Sequence, residues 1–415
     1  MLRQIGLRGL LVGPVVALVL PAIGSGSLAS AVTARASVAR PAAAAAVASS
    51  QLTGMACPSS TNCFAVGFFS VSGSGMDKTL IERWNGVRWA VVASPNPAGA
   101  KFSRLFGVGC QSASSCFAVG NQYSPTSRSG KTLIERWNGK AWSIVTSPNP
   151  AAGWANPQLN GVSCAATACL AVGLRFITSS ECCKTFAQRW NGNAWSTVPT
   201  PNLTGSRYSR LDAVSCRATL GCVAVGGFAQ NFFNTLVERW NGTSFSVVAS
   251  PNHTDLGEGD QLASVSCPSA TSCEAAGSWF LGGDGQPATL IERWNGTHWS
   301  IVTSRDPDRS FAELRGMSCA TTTNCTAVGD YFAPNAPPPY GFNGSKTLID
   351  RWNGTAWSIV ASPNAGTYTS LAAVKCVNAT MCFAAGHGSA ASGAWNALIE
   401  RWNGTTWKVV VNANP

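Results

Sequence analysis

Asp255, Glu258 and Asp260 fall within six residues of one another, interleaved with Gly257 and Gly259. Hard oxygen ligands on a flexible turn suit calcium, with a solvated acidic loop as the alternative. Further along, Asp284, Asp306, Asp308, Glu313 and Asp330 keep the same region acidic. Two such carboxyls set ~5–9.5 Å apart in a cleft would suit glycoside hydrolysis, one as acid and one as base or nucleophile. A third candidate is the Glu-Arg step at Glu82-Arg83, which recurs along the chain, with Gln188 and Asp350 replacing the glutamate twice. Glu and Arg can do acid–base work, but a pair that returns at every period serves the repeat. Alternation along a strand puts Glu82 with Leu80 and Trp84 on one face and Arg83 with Ile81 on the other. Charges paired between neighbouring repeats are therefore expected, because a buried ion must find a partner.

The elements that hold these residues are set by the stretch Thr79–Trp89, Thr-Leu-Ile-Glu-Arg-Trp-Asn-Gly-Val-Arg-Trp. It returns as Thr132–Trp142, Thr185–Trp195, Thr235–Phe245, Thr289–Trp299, Thr347–Trp357 and Ala397–Trp407, about every 50 residues. Asn-Gly between two β-rich runs is a strong hairpin signal, since both residues tolerate positive φ. The third repeat shows the whole unit: Leu159–Cys164, a short loop, Cys169–Gly173, a variable loop, Thr185–Trp190, the Asn-Gly turn, and Trp195–Val198. These runs are strands A to D. Four antiparallel strands repeated seven times predict an all-β chain, a seven-bladed β-propeller, occupying residues 51–415. A solenoid would have shorter repeats, and helical repeats are excluded by the Gly, Pro and β-branched content.

The chain has 415 residues, 45% of them hydrophobic and 11% charged, enough to bury a large core. Residues 1–31 read as a secretory signal, with Arg3 and Arg8, an apolar run from Leu10 to Ile23, and a small-residue cleavage site at Ala29-Ser30-Ala31. A membrane anchor is the competing reading, weakened by Gly13 and Pro14 within the run. Residues 32–50 are Ala- and Ser-rich and read as a spacer. No later stretch is apolar for long enough to cross a membrane, so no span is expected once the signal is removed. The net charge of +11 is spread thinly. No nucleic-acid partner is expected, and weak attraction to an anionic polymer or cell surface is the most that follows.

Sixteen cysteines behind a signal point to disulfides in an oxidising compartment. Fourteen form one local pair per repeat, closing the A–B loop: Cys57/Cys63, Cys110/Cys116, Cys164/Cys169, Cys216/Cys222, Cys267/Cys273, Cys319/Cys325 and Cys376/Cys382. Zinc is the weaker reading, since three histidines are present and a four-ligand site would have to draw on two repeats. Cys182 and Cys183 stand outside this scheme. The Asn-Gly-Thr triplets match glycosylation acceptors, but turn chemistry already explains them.

The repeats resemble those of kelch and Asp-box (sialidase-type) propellers over residues 52–415 in outline. Ala118-Val119-Gly120 is similar to the end of the second kelch strand, although a double glycine occurs only at Gly226-Gly227. Gly86 and Trp89 have the Gly-to-Trp spacing of an Asp box, with Trp84 where that motif has its Asp. The likeness implies fold. For oxidase-like copper chemistry His253, His298 and His387 stand in unrelated repeat positions, and a sialidase-like arginine triad is not identifiable.

In such a unit the A–B and C–D connections are short and uniform, whereas the B–C and D–A connections on the other side are long and variable, as binding loops are. That second face gathers candidate ligand-binding rings: Tyr123, Trp154, Phe176, Tyr208, Phe233, Trp279, Phe311, Tyr331, Tyr340 and Trp395. Phe68, Phe69, Phe102, Phe232 and Tyr368 lie there too. Rings with polar neighbours suit stacking on sugars or anchoring a protein, and plugging the ends of the units is the alternative. Repeats 1–4 place Lys78, Lys101, Arg104, Arg128, Lys131, Arg175, Lys184, Arg207 and Arg210 on this face against Asp77, Glu181 and Asp212, and repeats 5–6 reverse the sign. A dipolar face would orient a partner. The expectation is a secreted bacterial binding or scaffold module, monomeric, for glycan or a cell-surface protein. An extracellular carbohydrate-active hydrolase or lyase using the carboxylates of repeats 5–6 is the competing class.

Cys182-Cys183 allows the first test. Adjacent Cα atoms are ~3.8 Å apart across a trans peptide, below the ~4.4–6.8 Å usual for a bridge, so a bond between them is strained. It would make a rigid apolar platform beside Phe176, or a mere decoration. Two bridges to another chain are the remaining possibility. Non-reducing peptide mapping should find a monomer with one bridge confined to the Cys182-Cys183 peptide, and free thiols or a covalent dimer would rule this out.

Overall fold

The computed structural model describes residues 47–413 except 127–128, 150–155, 167, 177–181, 218–220, 254–258, 282–285, 308–310, 333–343 and 390–392. The signal and most of the spacer lie outside the described residues. The described part is all-β, with 28 strands in seven consecutive four-stranded antiparallel units. In unit 3 the strands are Gln158–Ala165, Ala168–Phe176, Cys183–Trp190 and Trp195–Val198. Strand A of unit 1 runs Val47–Ser59, so Val47–Ser50, expected in the spacer, already pair with strand B of the same unit. These extra residues cover the end of unit 7, where Ala397 N donates to Ser50 Oγ at 2.9 Å.

The seven local pairs form as expected: Cys57–Cys63, Cys110–Cys116, Cys164–Cys169, Cys216–Cys222, Cys267–Cys273, Cys319–Cys325 and Cys376–Cys382. As expected, each joins the end of strand A to the start of strand B and so closes the A–B loop. Both members of each pair stand inside strands A and B, and in units 2, 3, 4, 6 and 7 they face each other directly in the register. The strand B members, Cys63, Cys116, Cys169, Cys222, Cys273, Cys325 and Cys382, are all buried, each within the hydrophobic cluster of its own unit. They are therefore core residues. The reason is alternation: each lies opposite the strand C tryptophan, as Cys63 does Trp84 and Cys116 does Trp137. Cys182–Cys183 form an eighth bridge, leaving no free cysteine among the described residues. Cys182 is exposed but Cys183 is buried, so only half of that pair could contribute to the expected platform.

The C–D turn forms, but by another device than expected. Within the C–D turn of unit 1 only Gly86 takes positive φ (97°), while Asn85 Oδ1 accepts from the amides of Val87 and Arg88 at 2.9 Å each. The side chain thus satisfies the loop amides, as Asn does in Asx turns. The glycine ending Ala-Val-Gly in strand B has a packing reason: a Cβ on Gly120 would lie 1.9 Å from the Arg104 carbonyl, where strand A shifts register.

The core lies between units. Phe64, Val66 and Ile81 of unit 1 pack with Leu105, Leu133, Trp137 and Trp142 of unit 2. Leu52, Leu80 and Trp84 pack in the same way with Phe383 and Ile399 of unit 7, so first and last units meet by face packing.

The residue at the recurring glutamate position is fully buried in every unit, yet its partner is not the neighbouring arginine that charge alone suggests. In most units it meets a hydroxyl of the preceding unit, five residues past the aromatic residue that opens strand D. Ser94 Oγ donates to Glu135 at 2.9 Å, Ser250 to Glu292 at 2.5 Å and Ser362 to Glu400 at 2.9 Å, and Ser147 meets Gln188 at 2.9 Å. Asn412 holds the same position in unit 7 and donates to Glu82 of unit 1 at 3.2 Å, across 330 residues. The arginine turns the other way, over the tryptophan of the next unit. Arg83 lies 5.2 Å from Trp137, Arg136 5.3 Å from Trp190, Arg293 3.9 Å from Trp352, Arg351 4.1 Å from Trp402, and Arg401 5.5 Å from Trp84. Such contacts are within reach of cation–π attraction.

A carboxyl stripped of water and given only a hydroxyl is easier to hold protonated. Burial pushes Glu135, Glu238 and Glu292 up to about 8, and Glu82, Asp350 and Glu400 up to about 7. In the unfolded chain these groups lose their protons near pH 4–4.5. Their contribution to stability is therefore full below that pH and is lost as pH rises through 7 to 8. Thermal midpoints should fall by at least about 5 °C between pH 5.5 and pH 8.5, and equal midpoints would contradict the protonated state. Glu135→Gln, which copies Gln188, should fold normally and reduce that fall.

Candidate functional site

On the B–C/D–A face, the loop ends of units 6 and 7 with parts of units 1 and 5 enclose a pocket of about 860 Å³. Strand A of unit 6, Ala312–Thr321, and strand B, Asn324–Phe332, bring in Glu313, Arg315, Asp330 and Phe332. Strands A and B of unit 7, Thr369–Asn378 and Met381–Ser389, bring in Ser370 and His387, and Trp395 opens strand C. Phe311 and Tyr368 stand just before the A strands.

Arg315 ties the acidic groups together, with Nη2 2.7 Å from Glu313 and Nε donating to Asp330 at 2.8 Å. Ser370 Oγ of the next unit also donates to Asp330, at 2.7 Å. Asp330 is buried, so it pins the floor of the pocket across the seam between units. The apolar wall is aromatic. Trp395 lies 5.8 Å from Tyr368 and meets His387 edge-on at 4.7 Å, while Phe311 and Phe332 form a T at 6.2 Å. The Tyr368 carbonyl accepts from the Ser389 amide at 2.8 Å, which holds that loop end in place. Burial pulls the His387 imidazole below its ordinary value; the Asp330 carboxylate opposes this and the Arg315 charge adds to it. His387 is thus neutral at pH 7 and can both donate and accept.

Of the rings singled out from sequence, Phe311 and Trp395 come together here, with Tyr368. Tyr331 does not line the pocket: it packs on the core of unit 6, and Phe332 beside it takes the pocket place. Successive residues of a strand face opposite ways, so choosing between such neighbours needs the register. His387, whose repeat position looks unrelated to those of the other histidines, follows Gly386 as Asp330 follows Gly329. That equivalence is a usable signal.

The remaining rings are scattered. Tyr208 and Phe233 pair at 5.4 Å, Tyr123 packs on Phe102 at 6.2 Å, and Phe176 stands exposed. Trp279 stacks flat on His253 at 3.9 Å. Trp154 and Tyr340 lie outside the described residues, as do Asp255 and Glu258. Asp260 is buried and accepts from the His253 amide at 2.7 Å and faces its Nδ1 at 3.1 Å. Among the described residues no group of three His, Cys, Asp or Glu is arranged to hold a metal ion.

Some charges of the face pair locally, which leaves the net excess of each sign as the residue count gives it. Arg104 Nε donates to Asp77 at 2.6 Å, and Arg210 lies 2.8 Å from Asp212, which burial, opposed by Arg210, raises to about 6. Asp306 accepts the Thr289 amide at 2.9 Å, as Asn96 does for Thr79 at 3.0 Å. Arg128, Glu181, Asp284 and Asp308 lie outside the described residues.

No protein-family model and no curated protein matches the chain. Among solved structures, it is similar to YCF48 from Cyanidioschyzon merolae at 13% identity, covering 83% of this chain and 96% of that one, with a TM-score of 0.49. A variant of Aleuria aurantia lectin in complex with alpha-methyl-L-fucoside shares 11% identity over 75% of this chain and 95% of that one, TM-score 0.40. The GH74 xyloglucanase from Xanthomonas campestris shares 11% identity over 85% of this chain, TM-score 0.51, and the chain spans 54% of that enzyme's length. These are β-propeller proteins, and the last likeness, with the four-stranded units described above, gives the chain a β-propeller fold.

Proposed function

We propose that the chain is a secreted, monomeric, seven-bladed β-propeller of the kelch and Asp-box type, and that it is a binding module. Its seven four-stranded units are the seven blades, and residues 1–31 are a signal removed on export. The ligand is a glycan on a cell surface or matrix, taken up in the pocket between units 6 and 7. The observation that carries this reading is the make-up of that pocket, where Trp395, Tyr368, Phe311 and Phe332 face the same space as Asp330, Glu313, Ser370 and His387. Pyranose rings present apolar C–H faces to aromatic side chains, and their hydroxyls need fixed polar partners around the edge. The pocket's strand ends are held by Asp330 between Arg315 and Ser370 and by the Ser389 amide on the Tyr368 carbonyl, so little ordering has to accompany binding. Eight disulfides and the lack of a long apolar helix among the described residues fit an extracellular protein.

One feature favours the hydrolase reading: Glu313 and Asp330 share a pocket lined with rings. Both carboxylates are engaged by Arg315, and Asp330 also by Ser370, an arrangement that suits anchoring better than proton transfer.

A glycan-array screen, with hydrolysis assays on the hits, tests both readings. Trp395→Ala should weaken binding of a hit by about 1 kcal/mol or more with the thermal midpoint nearly unchanged, because this ring is 38% exposed. Loss of stability in step with binding would assign Trp395 to the scaffold. Turnover of a hit that Glu313→Gln abolishes would establish the hydrolase.

A further inference from the structure

The strand C arginine meets a different residue of strand B in each unit, and its environment follows from that residue. Phe64, Phe117 and Phe383 stand opposite Arg83, Arg136 and Arg401, which lie over these rings and the next tryptophan. Glu274 stands opposite Arg293 and pairs with it at 2.6 Å. Thr326 stands opposite Arg351, which lies over Trp402. Units 3 and 4 break the pattern, with Leu170 opposite Arg189 and Val223 opposite Arg239. Neither aliphatic side chain can hold a guanidinium. Among the described residues, neither arginine's side chain has a hydrogen bond, ion pair or ring contact.

Both line one groove of about 530 Å³ between units 3 and 4, on the side of the A–B and C–D turns, and Arg217 joins them there. Arg217 follows the strand A cysteine, where the other repeats carry Pro58, Gln111, Ala165, Pro268, Ala320 and Val377. Its Nη1 donates to the Cys267 carbonyl at 3.1 Å, which holds the side chain while leaving its other N–H groups to the groove. Among the described residues no carboxylate lines the groove. Three guanidiniums gathered without a counter-charge repel one another, and an anion relieves that repulsion. Guanidinium forks match planar carboxylate and the oxygens of sulfate.

We propose that this groove binds an acidic polysaccharide through its carboxylate or sulfate groups. Its one aromatic ring, Trp240, is buried, so it offers no platform for stacking bases, and this favours a polysaccharide over single-stranded nucleic acid. The site lies on the side opposite the aromatic pocket and does not depend on what that pocket binds.

The test measures binding of polygalacturonate, dextran sulfate, neutral dextran and an oligothymidylate at about 0.15 M salt. The purified protein should bind one or both acidic polysaccharides and not dextran, and the polymer that binds tells carboxylate from sulfate. The triple variant Arg189→Gln, Arg217→Gln, Arg239→Gln should lose at least about tenfold in affinity. Arg88→Gln, which removes a charge from an exposed turn of unit 1, should change it less than about twofold. Trp395→Ala should leave it unchanged. Should the triple variant fail to fold, Arg189→Gln and Arg239→Gln singly should each show a loss larger than that of Arg88→Gln. Three results would overturn the proposal: no binding of either acidic polymer, a loss on Arg88→Gln equal to that at the groove, or oligothymidylate bound as tightly and through the same arginines.

Discussion

A buried carboxyl group in strand C of six units, an amide in the seventh, has to find a partner outside its own sheet. Most find it in a hydroxyl five residues beyond the aromatic residue that opens strand D of the unit before. Such units are keyed to their predecessors by a polar contact that cannot be replaced by water. The arginine beside the carboxyl reaches forward to the next unit's tryptophan, so one dipeptide bonds in both directions. The first and last units are joined by the same two contacts, Asn412 to Glu82 and Arg401 over Trp84. Among the described residues no strand is exchanged between the first and last units. The closure adds to this repeat chemistry the bond from Ala397 N to Ser50 Oγ.

Where the keying residues vary, the consequence is local. Asp350 is one methylene shorter than glutamate and has no hydrogen-bond partner among the described side chains, while Ser304 donates to the Thr289 carbonyl of its own unit instead. Leu170 and Val223 leave Arg189 and Arg239 unengaged. Regularity in strands B and C is what makes these departures readable, and the two basic positions belong to adjacent units because two successive strand B residues changed.

The two faces divide the work by the same logic. The A–B hairpins are pinned by disulfides whose strand B cysteine is buried, as in Cys110–Cys116, and the C–D turns by Asn side chains that satisfy their own loop amides, so both vary little. On the other face the recurring fastening is an Asn or Asp that accepts the amide of the strand C threonine, and the described loop ends differ from unit to unit. There Asp330 binds Arg315 of its own unit and Ser370 of the next, and a pocket opens above that seam.

Period, strand count per repeat, cysteine pairing and the place of the variable loops could all be read from the sequence, because each rests on local chemistry repeated seven times. A cysteine pair five or six residues apart across a hairpin has few other partners within reach. That the second cysteine of each pair is a core residue could not be read, since burial follows from the tryptophan opposite it in the register. Which ring enters the pocket was equally hidden, because Tyr331 and Phe332 are adjacent and only the register says which faces the core. So was the partner of the buried glutamate, because a serine some 40 residues upstream becomes its neighbour only when two units pack face to face. Charge attraction within a sequence suggests arginine; in the tertiary structure the buried group meets a hydroxyl of the preceding unit, because alternation turns the arginine to the opposite face of its strand.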